Sequence, residues 1–168
     1  MGRGASSSLG RFLERDLLPG DILLSSGQGF FSALIRIKTG GRYSHVEVYV
    51  GNGTTWASRN GQGVNAYPLD LSDVCAVLRP KYRLDWPSGI RWFEENAKGQ
   101  KYDWLGLLNF YIARWQGREN GRMFCSEFLV RLFREFGCPL FPIEVDADSI
   151  APKDLPHSNM VRLITKRS

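Results

Sequence analysis

Two side chains sit where local structure would help them do chemistry near neutral pH. Cys125 lies in MFCSEFLV, at the start of a periodic apolar stretch, and His45 opens HVEVYV, a run rich in β-branched and aromatic residues. A cysteine attacks as its thiolate, and a free thiol has a pKa near ~8.5. The first turn of a helix offers unpartnered N–H groups and a partial positive charge, and both favour a thiolate. A neighbouring imidazole can take the thiol proton and later pass it to a leaving group. The N–H of Cys125 would point near an attacked carbonyl and can donate to an oxyanion. Buried cysteines in apolar helices and hydrogen-bonded strand histidines are also ordinary structural residues.

The other candidates carry less. The chain has 3 cysteines, an odd number, and no CxxC pair. That argues against a disulfide framework and a structural zinc site, and no cofactor or metal is expected. Cys75, within Val74-Cys75-Ala76-Val77, reads as a core residue. Cys138, before Pro139, reads as structural, and His157 falls in a Pro-rich tail segment expected to be exposed. Trp92, Trp104 and Trp115 read as core or as groove walls.

The elements that must position His45 and Cys125 follow from periodicity and punctuation. Leu18-Pro19-Gly20-Asp21 predicts a turn and 22–24 a short buried strand. Residues 28–38 have a helical period, ended by Gly40-Gly41. Residues 44–50 predict a strand, Gly51-Asn52-Gly53 a hairpin turn and 54–58 the return strand. A Gly/Asn loop over 59–63 precedes strands at 64–67 and 74–78. Helices are expected over 87–98, over 104–115 with Asp103 as cap, and over 124–136 with Gly137 as stop. A last strand is expected over 160–165. Strands first and helices later predict an α+β domain, with helices packed on one side of an antiparallel sheet.

Composition bounds the rest. With 168 residues, 43% hydrophobic and 23% charged, the chain is neither disordered nor fibrous. Residues 1–17 read as a flexible N-terminal segment and 18–168 as one domain. Lys and Arg outnumber Asp and Glu by 22 to 17, for a net charge of +5. That suits an anionic partner, but the basic residues are scattered singly, as on a solvated surface. No RNA-binding signature supports a nucleic-acid partner. MGRGASSSLGRFLERDLLPG lacks the apolar core of a secretory signal, and no run approaches a membrane span.

LPGDILL, then YSHVEVYVGNGTTWAS, then GQGV resembles the core of the NlpC-type papain-like peptidases. In ordinary members the nucleophilic cysteine precedes this block. Here the cysteine in a Cys-Ser context comes 80 residues after His45. That order resembles the circularly permuted, YiiX/YebB-like branch, with the lecithin retinol acyltransferase group as a more distant relative. GQKYDW before the cysteine and SIAPKDL after it continue the likeness, from Pro19 to about Leu155. The resemblance implies a permuted papain-like fold, with the nucleophile helix packed on the sheet, Cys125 as nucleophile and His45 as base.

One position departs from the pattern. The family orients its histidine with a polar residue on the return strand, where this chain has Trp56 or Ala57. Neither can accept a hydrogen bond from imidazole. Glu47, two residues from His45 and so on the same strand face, is the candidate acceptor. Family members commonly have Gly there, and a solvent-facing Glu on an alternating strand is the plain alternative. Ser58 and Asn60 are weaker candidates. Glu127 suits the helix dipole in the first turn. Tyr43, Tyr102 and Ser126 are candidates for lining the cleft or assisting the oxyanion.

The resulting expectation is a cysteine hydrolase acting on an amide or peptide bond. By resemblance the substrate is cell-wall peptide, and the positive charge is compatible with an anionic wall polymer. The absence of a signal fits a cytoplasmic protein or a virion-associated phage lysis or tail component. The alternatives are a thiol acyltransferase or esterase on lipid substrates, and a catalytically silent binding or virion structural module on the same fold.

Overall fold

The computed structural model describes residues 14–26, 42–59, 61–101 and 125–166. Over these residues the chain is α+β. Six strands form one sheet: β1 (Ile22–Ser25), β2 (His45–Gly51), β3 (Thr54–Arg59), β4 (Gly63–Pro68), β5 (Val74–Pro80) and β6 (Val161–Lys166). Their order is β4-β3-β2-β1-β5-β6, and each neighbouring pair is antiparallel. β1 sits inside the sheet with Ile22, Leu23 and Leu24 all buried, which is why it reads as an unbroken apolar run.

Alternation along the strands splits the apolar residues between two faces. Ile22, Leu24, Val46, Val48 and Trp56 pack with Phe93, Phe128, Leu129, Leu132 and Phe133 in the main core. Leu23, Tyr49, Val74 and Val77 form a smaller cluster with Leu17. Each fully buried Leu or Phe contributes about 1.5–3 kcal/mol, so the larger cluster dominates.

Helix α1 (Trp86–Trp92) starts after Asp85, whose carboxylate accepts the Ser88 N–H. Gly89 is required by contact: a β-carbon there would lie 2.0 Å from Phe136 Cε1. The helix expected over 87–98 is α-helical only to Trp92. Phe93–Ala97 form a π-helical turn, with the Lys98 N–H donating to the Phe93 carbonyl at 2.8 Å. The wider turn buries Phe93 and Ala97 together. Phe93 then stacks on Trp56, ring centroids 4.0 Å apart. Helix α2 (Cys125–Glu135) buries Phe128, Leu129, Leu132 and Phe133 and packs against β2, β3 and α1.

The β2–β3 hairpin decides which side chains meet. Asn52 and Gly53 both have positive φ, 50° and 64°, as a two-residue type I′ turn requires. Gly51, at φ 101°, precedes them. The register is Gly51↔Thr54 at the turn but Tyr49↔Thr55 beyond it, so β2 carries one extra residue. This bulge puts Thr55 on the Glu47 and Tyr49 face of the sheet, and Trp56 on the Val48 face.

Three local expectations change. β3 runs on through Arg59, which pairs with Gly63, so Arg59 belongs to a strand and not to the loop. Residues 14–17, read as part of a flexible segment, are packed: Glu14–Asp16 form a 3-10 turn, Leu17 is buried and Tyr49 Oη donates to Glu14 at 3.0 Å. Cys75 packs against the main core as expected but is only half-buried, its Sγ 2.8 Å from Ser26 Oγ. The helices expected over 28–38 and 104–115, with Trp104 and Trp115, fall outside the described residues. Among the described residues, no helix is long and apolar enough to cross a membrane.

Candidate active site

His45 is the first residue of β2, and its side chain is 26% exposed. Glu47 projects from the same face and is nearly buried, at 8%. His45 Nε2 lies 3.0 Å from Glu47 Oε1. A carboxylate can only accept, so this contact assigns the proton to Nε2 and leaves Nδ1 for another partner. The Cys125 thiol is the other side chain that acts on this ring, and like Glu47 it favours the charged imidazole. Cys125 is buried at the first position of α2.

β3 completes the surroundings of Glu47. Arg59 donates to Oε1 through both Nε and Nη2, each at 2.7 Å. Thr55 Oγ1 donates to Oε2 at 2.7 Å. Thr55 and Arg59 are four residues apart on an alternating strand and so share a face. The Arg59 guanidinium lies over the Tyr67 ring, 4.3 Å from its centroid, and Tyr67 Oη donates to the Gly63 carbonyl at 2.7 Å.

These contacts set the charges. Burial would raise the Glu47 pKa, but hydrogen bonds from His45, Arg59 and Thr55 outweigh it and bring it to about 2. Burial would lower the His45 pKa, but the adjacent Cys125 thiol and Glu47 carboxylate outweigh that and raise it to about 9. At neutral pH Glu47 is therefore a carboxylate, and the imidazole is biased toward its charged form.

Ser126 follows Cys125, and its Oγ donates to the Ile150 carbonyl at 2.6 Å. Its hydroxyl is committed to fastening the first turn of α2 to the Ser149-Ile150-Ala151 segment. There the Ala151 N–H is held by Asp154 at 2.9 Å. CSE and SIAPKDL, apart in sequence, thus form one joint. Glu127 pairs with Arg131 at 2.8 Å, one turn along the helix.

Tyr43 is buried in the main core, and burial raises its pKa. Cys138 is buried and its pKa is likewise raised by burial, as suits a packing thiol. His157 is exposed. Ser58 is buried and shares the Trp56 side of β3, away from Glu47. Tyr102 and Asn60 lie outside the described residues.

The structure brings His45, Glu47 and Cys125 together, and it adds Thr55, Arg59 and Tyr67, which sequence reasoning missed. The signal available was the alternation Thr55, Ala57, Arg59. It was hidden because Arg59 reads as a loop residue beside Asn60 and Gly61, and because the bulge in β2 leaves no sequence mark.

No family model matches the chain. It is similar to a probable lipoprotein peptidase, YaeF, of Escherichia coli (strain K12), with 28% identity over 177 aligned positions. The alignment covers 84% of this chain and 64% of that protein, so the chain spans less than two thirds of the relative's length.

Proposed function

We propose that this protein is a cysteine hydrolase of the circularly permuted, NlpC-type papain-like class that cleaves an amide or peptide bond in cell-wall peptide. The observation that carries the reading is the meeting of three side chains: Glu47 is hydrogen-bonded to His45 Nε2 at 3.0 Å, and the Cys125 thiol acts on the same ring. Similarity to a probable peptidase supports the hydrolase class. The order of motifs along the chain supports the permuted arrangement, and the resemblance supports the substrate class. A net charge of +5 suits an anionic wall polymer.

In this reading Glu47 holds the His45 Nε2–H and stabilises the imidazolium, while Nδ1 exchanges a proton with Cys125. The Cys125 thiolate adds to the scissile carbonyl, and the developing oxyanion is met by the N–H groups at the start of α2. His45 gives its proton to the leaving nitrogen as the C–N bond breaks, leaving an acyl-thioester. Water, giving a proton to His45, adds to that carbonyl; the S–C bond breaks and the thiolate returns. Glu47 supplies the hydrogen bond that the return strand lacks. That meets the main argument for a catalytically silent module.

The test is to incubate purified peptidoglycan and model esters side by side with the protein and with Cys125→Ser. New amine or carboxyl ends from peptidoglycan with the unaltered protein alone support the reading. Turnover of esters alone moves the protein to the acyltransferase or esterase class. No turnover, with Cys125 alkylated by iodoacetamide no faster than Cys75 or Cys138, overturns it.

A further inference from the structure

We infer that Arg59 is a positioning residue that keeps Glu47 ionised and aimed at the His45 ring. This rests on the reading of Cys125 and His45 as the reacting pair. The Glu47 side chain is 8% exposed, and a carboxylate taken out of water needs a permanent countercharge. His45 cannot be that countercharge throughout a reaction in which it gives up and regains a proton. Whenever the imidazole is neutral, Glu47 would stand buried without an opposite charge and would tend to protonate. A protonated Glu47 could turn its O–H on Nε2 and reverse the tautomer that keeps the proton on Nε2. Arginine does not lose its proton at any pH the fold would survive.

The geometry fits this division of labour. Arg59 places Nε and Nη2 on the oxygen that His45 also uses, at 2.7 Å each, and Thr55 holds the other oxygen at 2.7 Å. Both oxygens are therefore occupied, and the carboxylate cannot rotate away from His45. Arg59 is itself braced by the Tyr67 ring on β4, and Tyr67 is tied to Gly63, the residue opposite Arg59 in register. The groups around Glu47 are His45 on its own strand, Thr55 and Arg59 on β3, and Tyr67 on β4 with Asp70 beyond it. Cys125 of α2 is coupled through His45. On β1 the residue paired with Glu47 is the apolar Leu23. Arg59 is thus the permanent cation in contact with the carboxylate among the described residues.

The experiment measures iodoacetamide alkylation of Cys125 by peptide mapping from pH 3 to 8. It compares the unaltered protein, Arg59→Gln, Arg59→Lys, Thr55→Val and His45→Ala. Removing an adjacent guanidinium raises a carboxylate by roughly one unit or more, which is about tenfold in its protonation equilibrium. A rise of about two units from about 2 leaves roughly a tenth of Glu47 ionised at pH 3, so Arg59→Gln is expected to lose about tenfold more rate at pH 3 than at pH 7, relative to the unaltered protein. Arg59→Lys keeps the charge and is expected to restore the pH profile at a reduced overall rate. Thr55→Val removes one neutral hydrogen bond and is expected to displace the profile less than Arg59→Gln.

A loss in Arg59→Gln that is equal at all pH values, or no loss, overturns the inference. So does a Thr55→Val profile displaced as far as that of Arg59→Gln. Should Arg59→Gln not fold, Arg59→Lys decides: an unaltered profile supports the inference and a displaced one overturns it. His45→Ala separates the two readings. If it leaves Cys125 alkylation unchanged in otherwise unaltered protein, the catalytic pairing itself fails, whatever the Arg59 variants do.

Discussion

Arg59 approaches Glu47 through two nitrogens that converge on a single carboxylate oxygen, Oε1, each 2.7 Å away. The usual fork-to-fork pairing would spread those two bonds over both oxygens. Here the second oxygen is left to Thr55, and His45 shares the first. Glu47 thus sits at the junction of two strands and connects the sheet edge to the candidate nucleophile.

Glu47→Gln should therefore be costly. The amide carries no charge, and its NH2 group would face donors of Arg59 or Thr55. Burial, which lowers the His45 pKa, would no longer be opposed by the carboxylate. The His45 titration, followed by the imidazole proton resonances, should fall from about 9 by a unit or more. Peptide-bond turnover should drop by about 10²-fold or more, the usual scale for positioned acid–base groups. Unchanged turnover would mean that Cys125 and His45 act as a dyad.

Stability should follow these two groups in opposite directions. The His45 pKa is raised from 6.5 to about 9, so its contribution is fully present below pH 6.5 and is lost as pH rises through 9. The Glu47 pKa is lowered from 4.5 to about 2, so its contribution is present above pH 4.5 and is lost as pH falls toward 2. Their joint contribution peaks between about pH 4.5 and 6.5. Melting temperatures measured from pH 3 to 10 should show a gap between the unaltered protein and Glu47→Gln that is widest in that window.

Ser126→Ala separates a structural hydroxyl from an oxyanion donor. It removes the bond to the Ile150 carbonyl in a buried joint and should destabilise by about 1–3 kcal/mol, read by denaturant unfolding. Cys125 alkylation at a temperature where the variant is fully folded should stay within about threefold of the unaltered rate, about 0.65 kcal/mol of barrier. A large rate loss in folded protein would assign the hydroxyl a direct chemical role.

Gly51→Ala tests the bulge. Gly51 has φ 101°, a conformation that costs an L-residue about 1–2 kcal/mol, although the space around it is open enough for a methyl group. The variant should lose about that much stability in denaturant unfolding. If the strain is relieved by a one-residue slip of the hairpin, Thr55 and Arg59 leave Glu47, and the pH profile of Cys125 alkylation changes with it.

Much of this protein was legible in its residues. All six strands begin within one residue of where alternation and turn signals put them. α2 spans nearly the stretch that its apolar period and Gly137 define. Those features are local: periods of 2 and 3.6, and residues that tolerate turns. Glu47 could be nominated for the same reason, since residues two apart on a strand must share a face. The π-helical turn at Phe93–Ala97 was not legible, because it answers to Trp56 lying beneath it rather than to its own sequence.

By itself the sequence determined the α+β alternation, the strand that carries His45 and Glu47 together, and the helix start that carries Cys125. The tertiary structure decided how those pieces engage. The extra residue at the end of β2 turns Thr55 and Arg59 toward Glu47 and sends Trp56 into the core. A shift of one residue exchanges the two faces of a strand, and no local propensity records it. Whether Glu47 faces water or a guanidinium was therefore a matter of register, and register is set only when the whole sheet is packed.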